Sequence, residues 1–161
     1  MADYTQSYLQ SLFEYKDGRL YRKVVRSNTK LGQEAGWIGN NGYRIIGLDY
    51  KEILAHKLIY FMHHGHIPEC IDHINGNKLD NRIENLRSAN YMENGYNQKI
   101  SKRNKSGCKN VSWNKARNKW AVRIVYEKSK LKQWYVDDFE FAELLAQEAR
   151  EKFHGEFACH G

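Results

Sequence analysis

Residues 71–97 read IDHINGNKLDNRIENLRSANYMENGYN, and this stretch decides how the rest of the chain is read. Asp72 and His73 stand side by side, an asparagine-rich loop follows, and an asparagine-studded segment closes the unit. Histidine suits proton abstraction from water because its unperturbed pKa of about 6.5 lies near the working pH. A neighbouring carboxylate offers hard oxygen to a cation such as magnesium, which takes few protein ligands and keeps water or phosphate oxygens in its other positions. Asparagine amide oxygens are neutral donors of the same kind. Asn90, Asn94 and Asn97 recur at i, i+4 and i+7, so a helix over residues 90–99 would place them on one face. Asn90 with Glu93 is a variant capping box, and Gly95 costs that helix about 1 kcal/mol relative to alanine, so tertiary packing must support it.

Working outward, residues 70–74 and 85–89 are short apolar-containing runs able to pair as strands. The loop between them is too long for a two-residue hairpin despite Asn75-Gly76, and its own Asn and Asp side chains must hold it. Consecutive strand residues face opposite ways. For Asp72 and His73 to serve one site, the strand must end there.

The run Asp72-His73-Ile74-Asn75-Gly76-Asn77-Lys78, then Asp80-Asn81-Arg82, Glu84-Asn85-Leu86-Arg87 and Asn94, resembles the ββα-metal motif of HNH endonucleases, and most closely the HNH homing endonucleases of phages and their introns. The resemblance implies roles for four residues. His73 would be the general base, Asn85 the residue that orders the loop, Asn94 the metal ligand on the helix, and Asp72 a second metal ligand. Asparagine in place of the last histidine is common in the phage branch and makes a tight zinc site a poorer fit. Oxygen donors suit Mg2+ or Mn2+. Each part alone has a plainer reading: an Asp-His pair is a weak pointer, an Asn-rich loop is turn chemistry, Asn85 is structural and Asn90 is a helix cap. The spacing, held over more than twenty residues, carries the signal.

The 161 residues allow one ordinary domain or two small ones. A formal net charge of +7 and an isoelectric point near 9.2 point to a polyanionic partner. No apolar run approaches a membrane span and the N-terminus lacks a signal pattern, so a soluble intracellular protein is expected. Cys70, Cys108 and Cys159 are odd in number and widely spaced, with no CxxC pair, which fits reduced thiols and not disulfides or a cysteine zinc site.

Three regions follow from the chain: residues 1–54, β-rich; 55–98, the HNH unit; 99–161, a basic linker and a second DNA-binding module. The expected class is α+β. Residues 4–13 carry an amphipathic stripe (Tyr8, Leu9, Leu12, Phe13), and residues 12–15 and 19–25 alternate around Lys16-Asp17-Gly18 as a hairpin. A second hairpin is expected over residues 34–38 and 43–48, and a further strand over 51–55. Arg19, Arg22, Lys23, Arg26 and Lys30, interleaved with tyrosines, form a candidate phosphate-tracking face, of which Arg22 and Lys23 are the chosen contacts; an ordinary solvated face explains them as well. Residues 56–64 read as a helix with Leu58, Ile59, Phe61 and Met62 on one stripe, ending before Pro68. Its histidines, with His66, are expected to be exposed or satisfied in the core, because the neighbours His63 and His64 cannot both face one ion.

The boundary falls within residues 98–106. Over residues 99–136, twelve basic residues face one acid, Glu127. Strands are expected over 110–113, 119–126 and 133–136, joined by turns at 114–118 and 127–130. A helix over 139–153, capped by Asp137 or Asp138, would bury Phe141, Leu144, Leu145, Ala149 and Phe153. Ser106-Gly107-Cys108-Lys109-Asn110-Val111-Ser112-Trp113, Lys119-Trp120-Ala121-Val122-Arg123-Ile124 and the helix ending Phe153-His154-Gly155-Glu156-Phe157-Ala158 resemble the APETALA2-type DNA-binding domain. The resemblance implies a three-stranded sheet in the major groove with Trp113, Lys115, Arg117, Trp120, Arg123 and Trp134 as candidate contacts. Arg123 is the best base reader, since arginine can donate two bonds to a guanine edge. Trp120 shares a side with Val122 and Ile124, the side expected to lie under the helix.

The expected function is a site-specific, phage-encoded DNA endonuclease of homing type acting on double-stranded DNA in the host cytoplasm. A monomer with one catalytic motif would nick one strand. An inactive DNA-binding regulator on the same scaffold is the alternative, and the intact Asp72, His73 and Asn94 speak against it. A generic restriction or repair nuclease would need no appended sequence reader.

Overall fold

The computed structural model describes residues 4–25, 29–127 and 130–161; Arg26 and residues 128–129 of the expected 127–130 turn lie outside them. The chain is a mixed α and β protein of two compact units, residues 1–90 and 91–161.

In the first unit, α1 (Gln6–Leu12) starts at Thr5, whose hydroxyl accepts from the Tyr8 amide, and ends where Phe13 turns extended. The hairpin β1 (Phe13–Lys16) and β2 (Arg19–Arg22) closes on Asp17 and Gly18, both at positive φ, the mirror-image turn whose twist matches that of paired strands. β3 (Trp37–Ile38), β4 (Arg44–Leu48) and β5 (Lys51–Leu54) form an antiparallel sheet in that order, with β4 and β5 joined at Asp49-Tyr50, again both at positive φ. α2 (Ala55–His64) stops at Gly65 in the left-handed conformation, a position that glycine occupies without steric cost; Pro68 follows three residues later. β6 (Cys70–His73) pairs antiparallel with β7 (Leu86–Ala89).

Leu9, Leu12, Phe13, Leu20, Ile46, Leu58, Ile59, Met62, Ile71 and Leu86 share one core. The β-rich N-terminus and the strands that carry Asp72 and His73 are therefore one packed body through residue 90, where the sequence divided them at residue 54. About fifty residues bury a small fraction of their surface and are marginal alone, and α2 packs into the core shared by both parts.

The second unit opens with α3 (Tyr91–Tyr96), shorter than the 90–99 helix expected, with Asn97 one residue beyond it. β8 (Val111–Asn114), β9 (Lys119–Tyr126) and β10 (Lys130–Val136) form an antiparallel sheet with β9 central; β10 starts three residues earlier than expected. α4 (Phe139–His154) is capped by Asp138, whose carboxylate accepts from the Phe141 amide at 2.6 Å.

The buried face of α4 agrees with the expected one at Ala149 and at the half-buried Leu145 and Phe153, and differs at Phe141 and Leu144. Ala142, Ala146 and Ala149 are buried, whereas Phe141 and Leu144 are 54 % and 52 % exposed. Small residues at i, i+4 and i+7 let the helix axis come close to Val122, Val111 and Cys108 in the shared core, a packing that larger side chains on that line would prevent. Arg150 is also buried there, its guanidinium donating to the Lys109 carbonyl at 2.6 Å.

Candidate active site

β6 ends at His73 because the backbone turns there: the Ile74 amide donates to the Asn85 carbonyl and the Gly76 amide to the His73 carbonyl, at 2.9 and 2.8 Å. Asp72 and His73 are each only 5 % exposed, so the acid and the imidazole both lie inside the unit. Directly opposite Asp72 in the strand register stands Arg87. Its Nε and Nη2 both meet Asp72 Oδ2 at 2.8 Å, a charge-assisted pair that offsets much of the cost of burying the carboxylate.

The loop between the strands is a closed network of its own side chains. Asn75 Oδ1 accepts from the Asn77 amide and from Asn85 Nδ2. Asn85 Nδ2 also donates to the Asp80 carbonyl at 2.7 Å, and Asn85 Oδ1 accepts from the Asn75 amide at 3.0 Å. Asp80 holds Arg82 through both carboxylate oxygens at 2.8 and 2.7 Å, and these bonds keep its carboxyl well below the usual carboxylate range. The N-terminal hairpin supports the loop from below. Tyr15 Oη accepts from the Ile83 amide at 3.0 Å, and a Cβ added at Gly18 would stand 2.5 Å from the Arg82 nitrogen, so glycine is required for this approach.

The product of this network is the placement of Asn81. It is 2 % exposed, and its Oδ1 accepts from His73 Nε2 at 2.9 Å. An amide oxygen can only accept, so Nε2 is the donor in this bond, and in the neutral ring the lone pair is on Nδ1. The other walls around His73 are aromatic: His56 lies edge-on at 5.1 Å between ring centroids, and Tyr43 is tilted at 6.0 Å. Burial, with His73 and Lys57 nearby, pushes the His56 pKa down to about 3, so its ring is neutral. Burial, then the neighbouring Cys70 and Asp72, raises the Tyr43 phenol. The ammonium of Lys78 sits 4.7 Å over the Tyr43 ring.

The sequence reading gave no site role to Asn81, Arg87, His56, Tyr43 or Lys78. Lys78, Asn81 and Arg87 were within the quoted motif and His56 within the helix that precedes it, so the signal was their type and proximity; their partners were not readable. Asn94 lies half-buried on α3 in the second unit. Among the described residues no group of three or more His, Cys, Asp or Glu side chains could hold a metal. The Asp72 carboxylate is a hard oxygen donor of the kind a water-retaining divalent ion takes.

The basic candidates are dispersed. Arg22 places its guanidinium 5.7 Å from the Phe13 ring, and Lys23 donates to the Gln10 carbonyl at the end of α1. Arg123 is exposed on the side of the C-terminal sheet away from α4, where Arg117 lies 4.5 Å over the Tyr135 ring. Trp113 does not share that side. Its register partner is Trp120 and that of Trp134 is Val122, and cross-strand partners point to one face. All three tryptophans are therefore on the α4 side, where Trp120 and Trp134 pack against the core. Lys115 is exposed in the turn after β8.

A family model described as HNH endonuclease matches residues 54–96. "Protein 3.8" of Escherichia phage T7 is 36 % identical over 113 residues, covering 68 % of this chain and 91 % of the phage protein. The chain belongs to the HNH endonuclease family. This HNH endonuclease is also 37 % identical over 81 residues to an uncharacterised HNH endonuclease of Acanthamoeba polyphaga mimivirus, covering 48 % of the chain and 42 % of that relative. No solved structure gives a significant match. Membership makes the HNH chain a DNA nuclease, and HNH nucleases generally use a divalent metal ion. Among its described residues, no helix is long and apolar enough to cross a membrane.

Proposed function

We propose that this HNH endonuclease is a site-specific enzyme of homing type that nicks double-stranded DNA, with His73 as general base. The observation that carries the reading is the bond from His73 Nε2 to the buried Asn81 Oδ1, which fixes the tautomer whose Nδ1 can take a proton from water. Asn85 keeps the loop closed so that Asn81 stays in place, and Arg87 fixes the position of the Asp72 carboxylate through Oδ2. Asp72 and, from the family resemblance, Asn94 would hold the divalent ion. When bound, magnesium or manganese would supply positive charge to the scissile phosphate and the leaving 3′ oxygen. By family analogy the products carry a 5′ phosphate and a 3′ hydroxyl.

The ββα-metal arrangement is the reading given to β6, β7 and α3. The C-terminal sheet and α4 are read as an APETALA2-like module whose face bearing Arg123 lies in the major groove, with Arg117 on the backbone beside it. Arg22, Lys23 and Lys115 would add sequence-independent attraction to phosphate. Trp113 is withdrawn from the duplex contacts because it lies on the other face. The enzyme is read as a phage-encoded monomer acting in the host cytoplasm.

The test is cleavage of supercoiled phage DNA by wild type and by His73→Ala, with magnesium and with EDTA, at matched DNA binding. Metal-dependent nicking that His73→Ala loses by about 10²- to 10⁴-fold, with binding retained, is the expected result. Equal cleavage by both proteins would overturn the assignment of the base, and binding of a defined site without cleavage in either metal would return the chain to a regulator.

A further inference from the structure

Along the free edge of β8, on the α4 side of the C-terminal sheet, lies a cleft of about 450 Å³, within the range of sites that take small organic groups. Trp113 lines it, 43 % exposed, and stands edge-on to Trp120 with ring centroids 5.0 Å apart. Arg103, Lys105 and Lys115 line it as well, and none of its described lining residues is acidic.

The edge adds hydrogen-bonding groups. The Arg123 amide donates to the Asn110 carbonyl at 2.9 Å, which sets the phase of the ladder. Ser112, opposite Ala121, then bonds inward, while Val111 and Trp113 turn their main-chain groups outward. The outward carbonyl of Val111 is taken by Ser106 Oγ at 2.7 Å. The next outward pair along the edge, one N–H and one C=O, belongs to Trp113 in the cleft. With β8 four residues long and Val111 already engaged, the edge is too short to seat an added strand of another protein.

We propose that this cleft takes one unstacked nucleotide of a DNA strand. The base lies against the Trp113 indole, its edge bonds to the Trp113 main chain, and the flanking phosphates meet Arg103, Lys105 and Lys115. A duplex hides the faces of its bases in the stack and offers only their edges, whereas an indole inside a cleft is reached by a base that has left the stack. Cations without acids suit the phosphates. The two sides of the sheet thus divide between them duplex contact at Arg123 and strand contact at Trp113. The inference rests on the endonuclease reading only for the identity of the polymer.

The experiment is fluorescence-anisotropy binding by the full chain, in EDTA so that no cleavage occurs, to labelled oligothymidine, to its duplex with oligoadenine, and to that duplex carrying a single-nucleotide bulge. Trp113→Ala is expected to weaken the single strand and the bulge by about 5- to 150-fold with duplex affinity unchanged, and Trp113→Phe to keep most of the binding. Lys105→Glu with Lys115→Glu is expected to lower the salt slope for the single strand by about 1.4. If Trp113→Ala fails to fold, the phenylalanine and charge variants carry the test. Unchanged single-strand binding in Trp113→Ala, a loss of the same size on the duplex, or an unaltered salt slope would each overturn the site. The nicking assay reads the endonuclease assignment independently, so either can fail alone.

Discussion

Replacing Asn85 by alanine removes the side chain on which the loop between β6 and β7 closes. Three hydrogen bonds go: from Asn85 Nδ2 to Asn75 Oδ1 and to the Asp80 carbonyl, and from the Asn75 amide to Asn85 Oδ1. Asn85 is 7 % exposed. At about 1 kcal/mol for each bond the loss is about 3 kcal/mol, with about 1.5 as the lower bound because the exposed Asn75 can re-pair with water. A loss of 3 kcal/mol is about 150-fold in the loop's opening equilibrium. Hydrogen exchange reads it directly, through the amides of Asn75, Gly76 and Asp80, whose acceptors are Asn85 Oδ1 and the His73 and Asn77 carbonyls. Their protection should fall by about two orders of magnitude while β4 amides in the core keep theirs. Asn85→Asp should do no better, since it loses both donated bonds and sets a carboxylate against the Asp80 carbonyl. A change of less than about threefold at Gly76 in Asn85→Ala would refute the view that this side chain closes the loop.

Other expectations concern neighbouring groups. Asn81→Ala should lower the nicking rate by tenfold or more without weakening DNA binding, because His73 Nε2 loses its acceptor and the tautomer is no longer fixed; Asn81→Asp, which keeps an acceptor, should retain more activity, and equal rates in all three proteins would refute the role. The folded pKa of His56, about 3, lies below its unfolded value near 6.5. The unfolded state therefore binds the proton first as pH falls, and its contribution to stability declines from about pH 6.5 down to about pH 3. Between pH 7.5 and 5 the loss should be about 2 kcal/mol in urea unfolding, and His56→Phe should flatten that slope. Ala146→Leu, at a fully buried position under the sheet, should cost about 1–3 kcal/mol by overpacking, whereas Leu144→Ala, at an exposed position of the same helix, should change thermal stability little; the reverse order would refute the assigned face.

What local sequence determines here is what neighbours along the chain determine. The Asp17-Gly18 turn, a cap at the Asp137-Asp138 pair and the Asn-rich loop depend on interactions within about ten residues, and their types and spacing were enough to read them. The alternation of β9 likewise placed Trp120, Val122 and Ile124 on one side and Arg123 on the other. Tertiary structure decided the rest. Nothing in the alternation of β8 by itself says that Trp113 pairs with Trp120; the register does. Apolar content alone favoured Phe141 and Leu144 on α4, but the closeness of the helix to the sheet selected Ala142 and Ala146 in their place. His56 comes from α2 and Tyr43 from just before β4 to meet His73, and one core unites residues that composition had divided. Their sequence separation is why no local pattern announces them: such contacts form only once the chain has closed loops of many residues, and burial then fixes which side chains share a site.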